Sequence, residues 1–184
     1  MTEPTTSLPR LNWGCGDHGE PGWVNSDLKD DPTIQIAADI REGLPVDDET
    51  FAYVVSIHAL PMVAYPDLVP ALRELRRVLR DGGVLRLCLP DLDKGLAALA
   101  EGRADHFAVP DDEVATLSGK FIVHMLWYGW SVTLFTAEFI EELLRKAGLR
   151  EVHHCRFLES PSGLPGITDL DNREHESLYV EAVK

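Results

Sequence analysis

Apolar residues fall along this chain in short runs bounded by turn residues, interrupted by two stretches with helical spacing. Leu11 to Trp13 opens the series and leads into a glycine pair, Gly14 and Gly16. A second run, Trp23 to Leu28, carries Asp27 near its exit, and Thr33 to Ile40 reads as a third strand ending beside Asp39. Phe51 to Ile57 (FAYVVSI) is β-branched and aromatic enough to be a buried strand, with Ser56 and His58 at its C-terminal end. The sequence VLRLCLP, after Gly82-Gly83, begins the next strand, and 150–158 and 177–183 read as two closing strands.

The helical stretches are equally distinct. Leu68, Leu72, Leu75 and Leu79 repeat at helical spacing, with Arg73, Glu74, Arg76 and Arg77 largely opposite. Asp67 is the expected cap of this helix, and Pro70 is tolerated in its first turn. Thr136 caps a second helix reaching Ala147, with Glu138, Glu141 and Glu142 early, Arg145 and Lys146 late, and Gly148 just past its end. Between them lie a short helix from Asp91 to Ala100 and residues 101–135, whose charged start and apolar-aromatic end (FIVHMLWYGW) define no clear element. Residues 159–176 form a long polar loop.

Strands alternating with helices give an α/β fold, a mostly parallel sheet covered by helices on both faces. Ligands in such sheets sit beyond the carboxyl ends of the strands, where strand order reverses. Gly14, Asp27, Asp39 and Ser56 all fall at those ends. Glycines at 14 and 16 carry no Cβ, so backbone N–H groups can approach a ligand and φ can turn positive. A carboxylate at a strand tip suits the two hydroxyls of a ribose. A G-x-G pair alone is equally well a plain turn. The link from Gly16 to Trp23 is too short for the helix that parallel strands usually require. Either the first crossover is a single turn, or the second strand lies elsewhere.

With 184 residues the chain is expected to be one domain, with 1–10 a loose tail and 101–135 an insertion available to cover a substrate. The 17 Lys and Arg against 31 Asp and Glu argue against a nucleic-acid partner, because no basic stripe is present to neutralise phosphates. Cys15, Cys88 and Cys155 are widely spaced and read as reduced thiols of a cytoplasmic protein. Neither a signal peptide nor a run of membrane-spanning length is seen, so no membrane association is expected.

The motifs LNWGCG, WVNSD, AADIREGLPVDDETFAYVVSIHAL, LRELRRVLRDGGVLRLCLPDL and ESLYVEAVK together resemble those of class I S-adenosylmethionine-dependent methyltransferases, and most closely the small, compact ones. The resemblance covers nearly the whole chain. It implies a Rossmann-like, seven-stranded sheet with the last strand antiparallel, S-adenosylmethionine as cofactor and a small-molecule acceptor. Gly14, Cys15 and Gly16 would then lie by the cofactor's methionine portion, and Asp27 would hold the ribose with Leu28 beside the adenine. Asp39 would accept from the adenine amino group next to the backbone of Ile40, and Ser56 and His58 would lie beneath the sulfonium. Two positions depart from the family pattern. Asn12 stands where many relatives carry an acid, and Leu60-Pro61-Met62 replaces a common Leu-Glu-His run. The second departure keeps a rival reading open, a non-catalytic cofactor-binding or interaction protein on the same fold. An NAD-binding protein is disfavoured by the missing third glycine and opening helix.

His58 is the candidate acid-base residue, since imidazole titrates near neutrality, and its rival role is a structural histidine. His124, Trp127 and Tyr128, followed by Trp130, would line an acceptor pocket or lid, or else form core or one half of a homodimer contact. No metal site is expected: Asp91 and Asp93 do not face each other on a helix, Asp91 is better read as a cap, and His153 and His154 point to opposite sides of a strand. Cys15 reads as a small buried side chain.

Overall fold

The computed structural model describes residues 8–17 and 19–184, so most of the expected N-terminal tail lies outside the described residues. Seven strands form one sheet: β1 (Arg10–Trp13), β2 (Val24–Asp27), β3 (Ile36–Ala37), β4 (Phe51–Ile57), β5 (Leu79–Pro90), β6 (Arg150–Cys155) and β7 (Ser177–Val183). Their order is β3-β2-β1-β4-β5-β7-β6, with β7 alone antiparallel to both neighbours. Four helices accompany them: α1 (Tyr65–Val78), α2 (Leu92–Ala100), α3 (Leu117–Leu126) and α4 (Ala137–Lys146). Strand order reverses between β1 and β4, which places the switch point beside the glycine pair. Among the described residues no helix is long and apolar enough to cross a membrane.

Several boundaries differ from the sequence expectation. The first long helix starts at Tyr65, two residues before Asp67, with Ala64 as an N-cap that offers no side chain. Pro66 suits this start, because its missing N–H is one the helix could not have satisfied, and Asp67 sits in the first turn. Gly82-Gly83 does not separate helix from strand. Pairing jumps from Phe51↔Leu79 to Tyr53↔Val84, so the glycines lie in a bulge within β5. A Cβ on Gly83 would come within 2.8 Å of the Arg80 carbonyl oxygen and 3.0 Å of that of Ala52. The third strand shrinks to two residues; beside it the Asn25 N–H donates to the Gln35 side chain (2.8 Å), while the Gln35 N–H donates to the Asn25 carbonyl (3.0 Å). β6 stops at Cys155, where residues 156–159 close a turn and Leu158 takes φ +58°. Asp91 caps α2, accepting from the N–H groups of Asp93 and Lys94 at 3.0 and 3.2 Å.

The insertion 101–135 contains one helix, α3, capped by Thr116, with 3-10 turns before and after it. Helix α2 packs on it, and a Cβ on Gly95 would sit 2.9 Å from Met125 Sδ.

The two faces of the sheet are covered differently. On one, α1 and α4 bury Leu68, Leu72, Leu75, Ile140, Leu143 and Leu144 against alternate strand residues such as Leu11, Val54, Leu85 and Val180. The other face carries Trp23, Tyr53, Val55 and Val84, and Ile167 of the β6–β7 loop packs on them. That loop acts as a strap in place of a helix. Tyr53 Oη donates to the Pro165 carbonyl (2.8 Å), and Arg10 lies over the Trp23 ring (4.5 Å) and pairs with Asp169 (3.5 Å). The largest fully buried side chain is Arg86 in β5, whose Nε donates to Asp171 Oδ1 (2.9 Å) and whose Nη1 donates to Glu181 Oε1 (2.7 Å) and the Glu159 carbonyl (3.1 Å). An arginine in an apolar strand is tolerable only with such partners.

Candidate active site

The bend after β1 is clamped to the end of β2. Gly14 and Cys15 N–H both donate to the Ser26 carbonyl, at 2.7 and 3.1 Å. Gly14 and Gly16 take φ +69° and +59°, the left-handed region open to glycine. Gly16 N–H donates to Asp27 Oδ2 and Leu28 N–H to Oδ1, each at 2.8 Å. A carboxylate has about four acceptor sites, so Asp27 keeps lone pairs for two further donors. Leu28 beside it is 69% exposed, an apolar surface next to a carboxylate. Nothing lies within 4 Å of where a Cβ on Gly16 would stand, so the bend is open on that side. Cys15 is buried, and burial together with Asp27 raises its thiol pKa, as befits packing rather than nucleophilic chemistry.

Ser26 and Ser56 present the two side-chain oxygens, among the described residues, that are buried without a hydrogen-bond partner. They lie at the carboxyl ends of β2 and β4, on either side of β1. Asp39 is already occupied. It accepts from the backbone N–H and Nε of Arg41, both at 2.9 Å, and those bonds lower its pKa. Ile40 is buried in the core.

His58 follows β4 with φ +55°, its Nε2 2.7 Å from Ser177 Oγ. Titration near neutrality does not hold for it: desolvation, with Arg173 and His124 nearby, lowers its pKa to about 3. The ring is neutral across the physiological range.

Beyond these strand ends lies a cleft of about 800 Å³. Gly14, Cys15 and Ile57 form one wall, Asp105 and His106 of the insertion another, and Arg173 and Glu176 of the strap a third. Asp27, Leu28, Asp39, Ile40 and Ser56 share the sheet edge but do not line this cleft. Of the expected acceptor residues, His124 reaches it indirectly. The Ala108 N–H donates to His124 Nδ1 (3.2 Å), which leaves the proton on Nε2, 3.3 Å from Glu176 Oε2. Burial lowers the His124 pKa, and Glu176 opposes that shift. Trp127 carries the Arg173 guanidinium over its ring at 5.6 Å, and Arg173 donates to Glu176 Oε1 at 2.9 Å. Tyr128 turns away, its hydroxyl donating to Glu113 at 2.8 Å. Arg173, Glu176, Asp105 and His106 are the site residues the sequence did not single out. Only the place of Glu176 just before a strand sets it apart, and no local pattern brings its loop to the cleft. Among the described residues no group of three or more His, Cys, Asp or Glu is arranged to hold a metal.

Residues 22–87, from the start of β2 through most of β5, match the family model described as a methyltransferase domain. Among solved structures, a methyltransferase from Thermotoga maritima, described as a possible histamine N-methyltransferase, is 20% identical over 97% of this chain and 83% of its own, with a TM-score of 0.60. A methyltransferase from Archaeoglobus fulgidus is 11% identical over 97% of this chain and 87% of its own, with a TM-score of 0.62. Phosphoethanolamine N-methyltransferase 2 of Haemonchus contortus, in complex with phosphomonomethylethanolamine and S-adenosylhomocysteine, is 16% identical over 97% of this chain and 49% of its own, with a TM-score of 0.58. At these identities the likeness is one of fold. No curated protein sequence matches the chain. The sheet order and the matched domain define the class: a class I, S-adenosylmethionine-dependent methyltransferase fold. The cofactor that this class implies is S-adenosylmethionine.

Proposed function

We propose that this chain binds S-adenosylmethionine along the carboxyl edge of β1, β2 and β4 and directs its methyl group to a small molecule held in the cleft. The observation that carries this reading is the Asp27 clamp, a carboxylate fixed by Gly16 and Leu28 N–H groups with acceptor capacity to spare. The two unpartnered hydroxyls at Ser26 and Ser56 and the open side of Gly16 fit a polar ligand there. Asp27 would hold the ribose, Leu28 would cover the adenine, and Gly14 to Gly16 would lie against the amino-acid end. When bound, the cofactor supplies an electrophilic methyl group with a neutral leaving group. The chain's task is then mainly to position an acceptor and exclude water. A neutral His58, held to Ser177 and not among the residues that line the cleft, has little proton affinity for general-base work. Asp39 reaches an adenine amino group only if Arg41 swings aside.

A second reading, a cofactor-binding module without turnover, draws on Pro61. Where relatives place an acid, its carbonyl accepts the Val132 and Thr133 N–H groups at 2.9 and 3.1 Å and anchors the insertion. Calorimetric titration with S-adenosylmethionine, S-adenosylhomocysteine and NAD, followed by detection of S-adenosylhomocysteine release over acceptor classes, separates the two. Binding of the first two ligands with turnover supports the enzyme. Their binding with no turnover supports the module, and absence of binding removes both.

A further inference from the structure

We propose that Glu176 is the acceptor-recognition residue of the cleft and that the acceptor is an amine, an inference that rests on reading the cleft as the methyl-transfer site. Glu176 stands on the wall contributed by the strap, and Gly14 and Cys15 stand on the wall contributed by the strand ends. Two neighbours fix its carboxylate. Arg173 gives Nη1–H to Oε1 at 2.9 Å, and His124 Nε2, protonated because Nδ1 accepts from the Ala108 N–H, lies 3.3 Å from Oε2. These contacts do not saturate the group, because each carboxylate oxygen accepts more than one hydrogen. The spare positions belong to a donor in the cleft.

The charge around it selects the kind of donor. Glu20, Asp105 and Glu174 also line the cleft, and Arg173, the one arginine or lysine among the described lining residues, is already committed to Glu176. The remaining acids, Asp169 and Asp171, face Arg10 and Arg86. An anionic acceptor would meet repulsion from these acids, with no unpaired arginine or lysine among the described lining residues to receive it. A neutral hydroxyl would gain a hydrogen bond to the carboxylate, whereas an ammonium gains that bond together with an opposite-charge pair. Ile57, Ala108 and Leu170 supply apolar surface for the body of such a molecule. Arg173 and His124 are positioning residues that hold the carboxylate, and Trp127 supports Arg173 from beneath.

The test is calorimetric, on the full chain saturated with S-adenosylhomocysteine, with three probes of one shape: phenethylamine, phenethyl alcohol and hydrocinnamate. Phenethylamine is expected to bind about tenfold more tightly than the alcohol, with hydrocinnamate weakest, the difference that an opposite charge adds to a hydrogen bond with the carboxylate. Glu176→Gln is expected to remove the amine's advantage while S-adenosylhomocysteine affinity stays within about twofold. Glu176→Asp keeps the preference in weakened form, and this second variant guards against misfolding of the first. His124→Gln, which retains an N–H, keeps the preference, and His124→Leu loses it. Equal or tighter binding of the alcohol or hydrocinnamate overturns the proposal. So does an amine preference that survives Glu176→Gln, or binding of S-adenosylhomocysteine with no probe bound. Failure of S-adenosylhomocysteine itself to bind removes the methyltransferase reading instead, and the same three titrations into the unliganded protein still decide what Glu176 prefers.

Discussion

Asp27 Oδ2 and the Gly16 N–H meet at 2.8 Å, so the carboxylate that ends β2 also sets the shape of the bend that ends β1. At the proposed cofactor site, ligand recognition and loop geometry therefore share one side chain. Asp27→Asn replaces one acceptor oxygen with a donor that faces a backbone N–H. Loss of one hydrogen bond to a charged group is worth about 1.5–3 kcal/mol, so S-adenosylhomocysteine affinity should fall on the order of 10- to 150-fold. Calorimetry on the variant checks this, and an unchanged affinity would remove Asp27 from the cofactor site.

The two glycines of the bend are not equivalent. A Cβ on Gly14 would lie 2.1 Å from Ala59 Cβ, whereas one on Gly16 would meet open space. Gly16→Ala should cost only the left-handed backbone penalty, about 1–2 kcal/mol. Gly14→Ala should cost more in urea unfolding, and adding Ala59→Gly should recover the excess. Equal costs for the two single variants, or no recovery, would contradict the contact.

Arg86 answers two buried carboxylates, so removing it strands both. Arg86→Met is expected to destabilise the chain by about 3–5 kcal/mol, the usual consequence of breaking a buried ion pair. A loss below about 1 kcal/mol in denaturant unfolding would mean that solvent reaches Asp171 and Glu181 more freely than their burial indicates.

His58 carries a pH signature. Its pKa is about 3 in the fold, against an ordinary value of about 6.5 in the unfolded chain. The folded state thus binds fewer protons between those values, and the contribution of His58 to stability is present above pH about 6.5 and is lost as pH falls toward about 3. Unfolding near pH 5 should take up nearly one proton at this ring. His106 and His124 are shifted in the same direction, so the measurement is the difference between the native chain and His58→Gln. The variant should show a shallower fall in stability from pH 6.5 to 4, and an identical slope would place the ring in contact with water.

Much of the sheet was legible because its determinants are local. The FAYVVSI run, the Thr136 cap with its graded charges and the buried SLYVEAV strand each fix an element within a few residues. The glycine pair in β5 misled because a bulge and a helix end share the same residue preference. The strap was illegible because its anchors join residues far apart in sequence: Arg86 to Asp171 across 85 positions and Tyr53 to Pro165 across 112. A trace existed in LRLCLP, where an arginine interrupts an apolar strand and calls for a carboxylate from elsewhere, without saying which. For the same reason the sequence pointed to His124, Trp127 and Tyr128 but missed Glu176, through which the first two act on the cleft.

The strap of residues 159–176 divides into halves with unequal freedom. Upstream, up to Asp171, each anchor insulates the core, and drift there would cost the protein its shape. Downstream, residues 172–176 rim the cleft and are tied chiefly to its surroundings: the Glu176 carbonyl accepts the Asp91 N–H at 2.9 Å, and Arg173 lies over Trp127. On the proposed function, side-chain changes at these five positions would retune what the cleft admits while the buried Arg86 and Tyr53 anchors keep their partners.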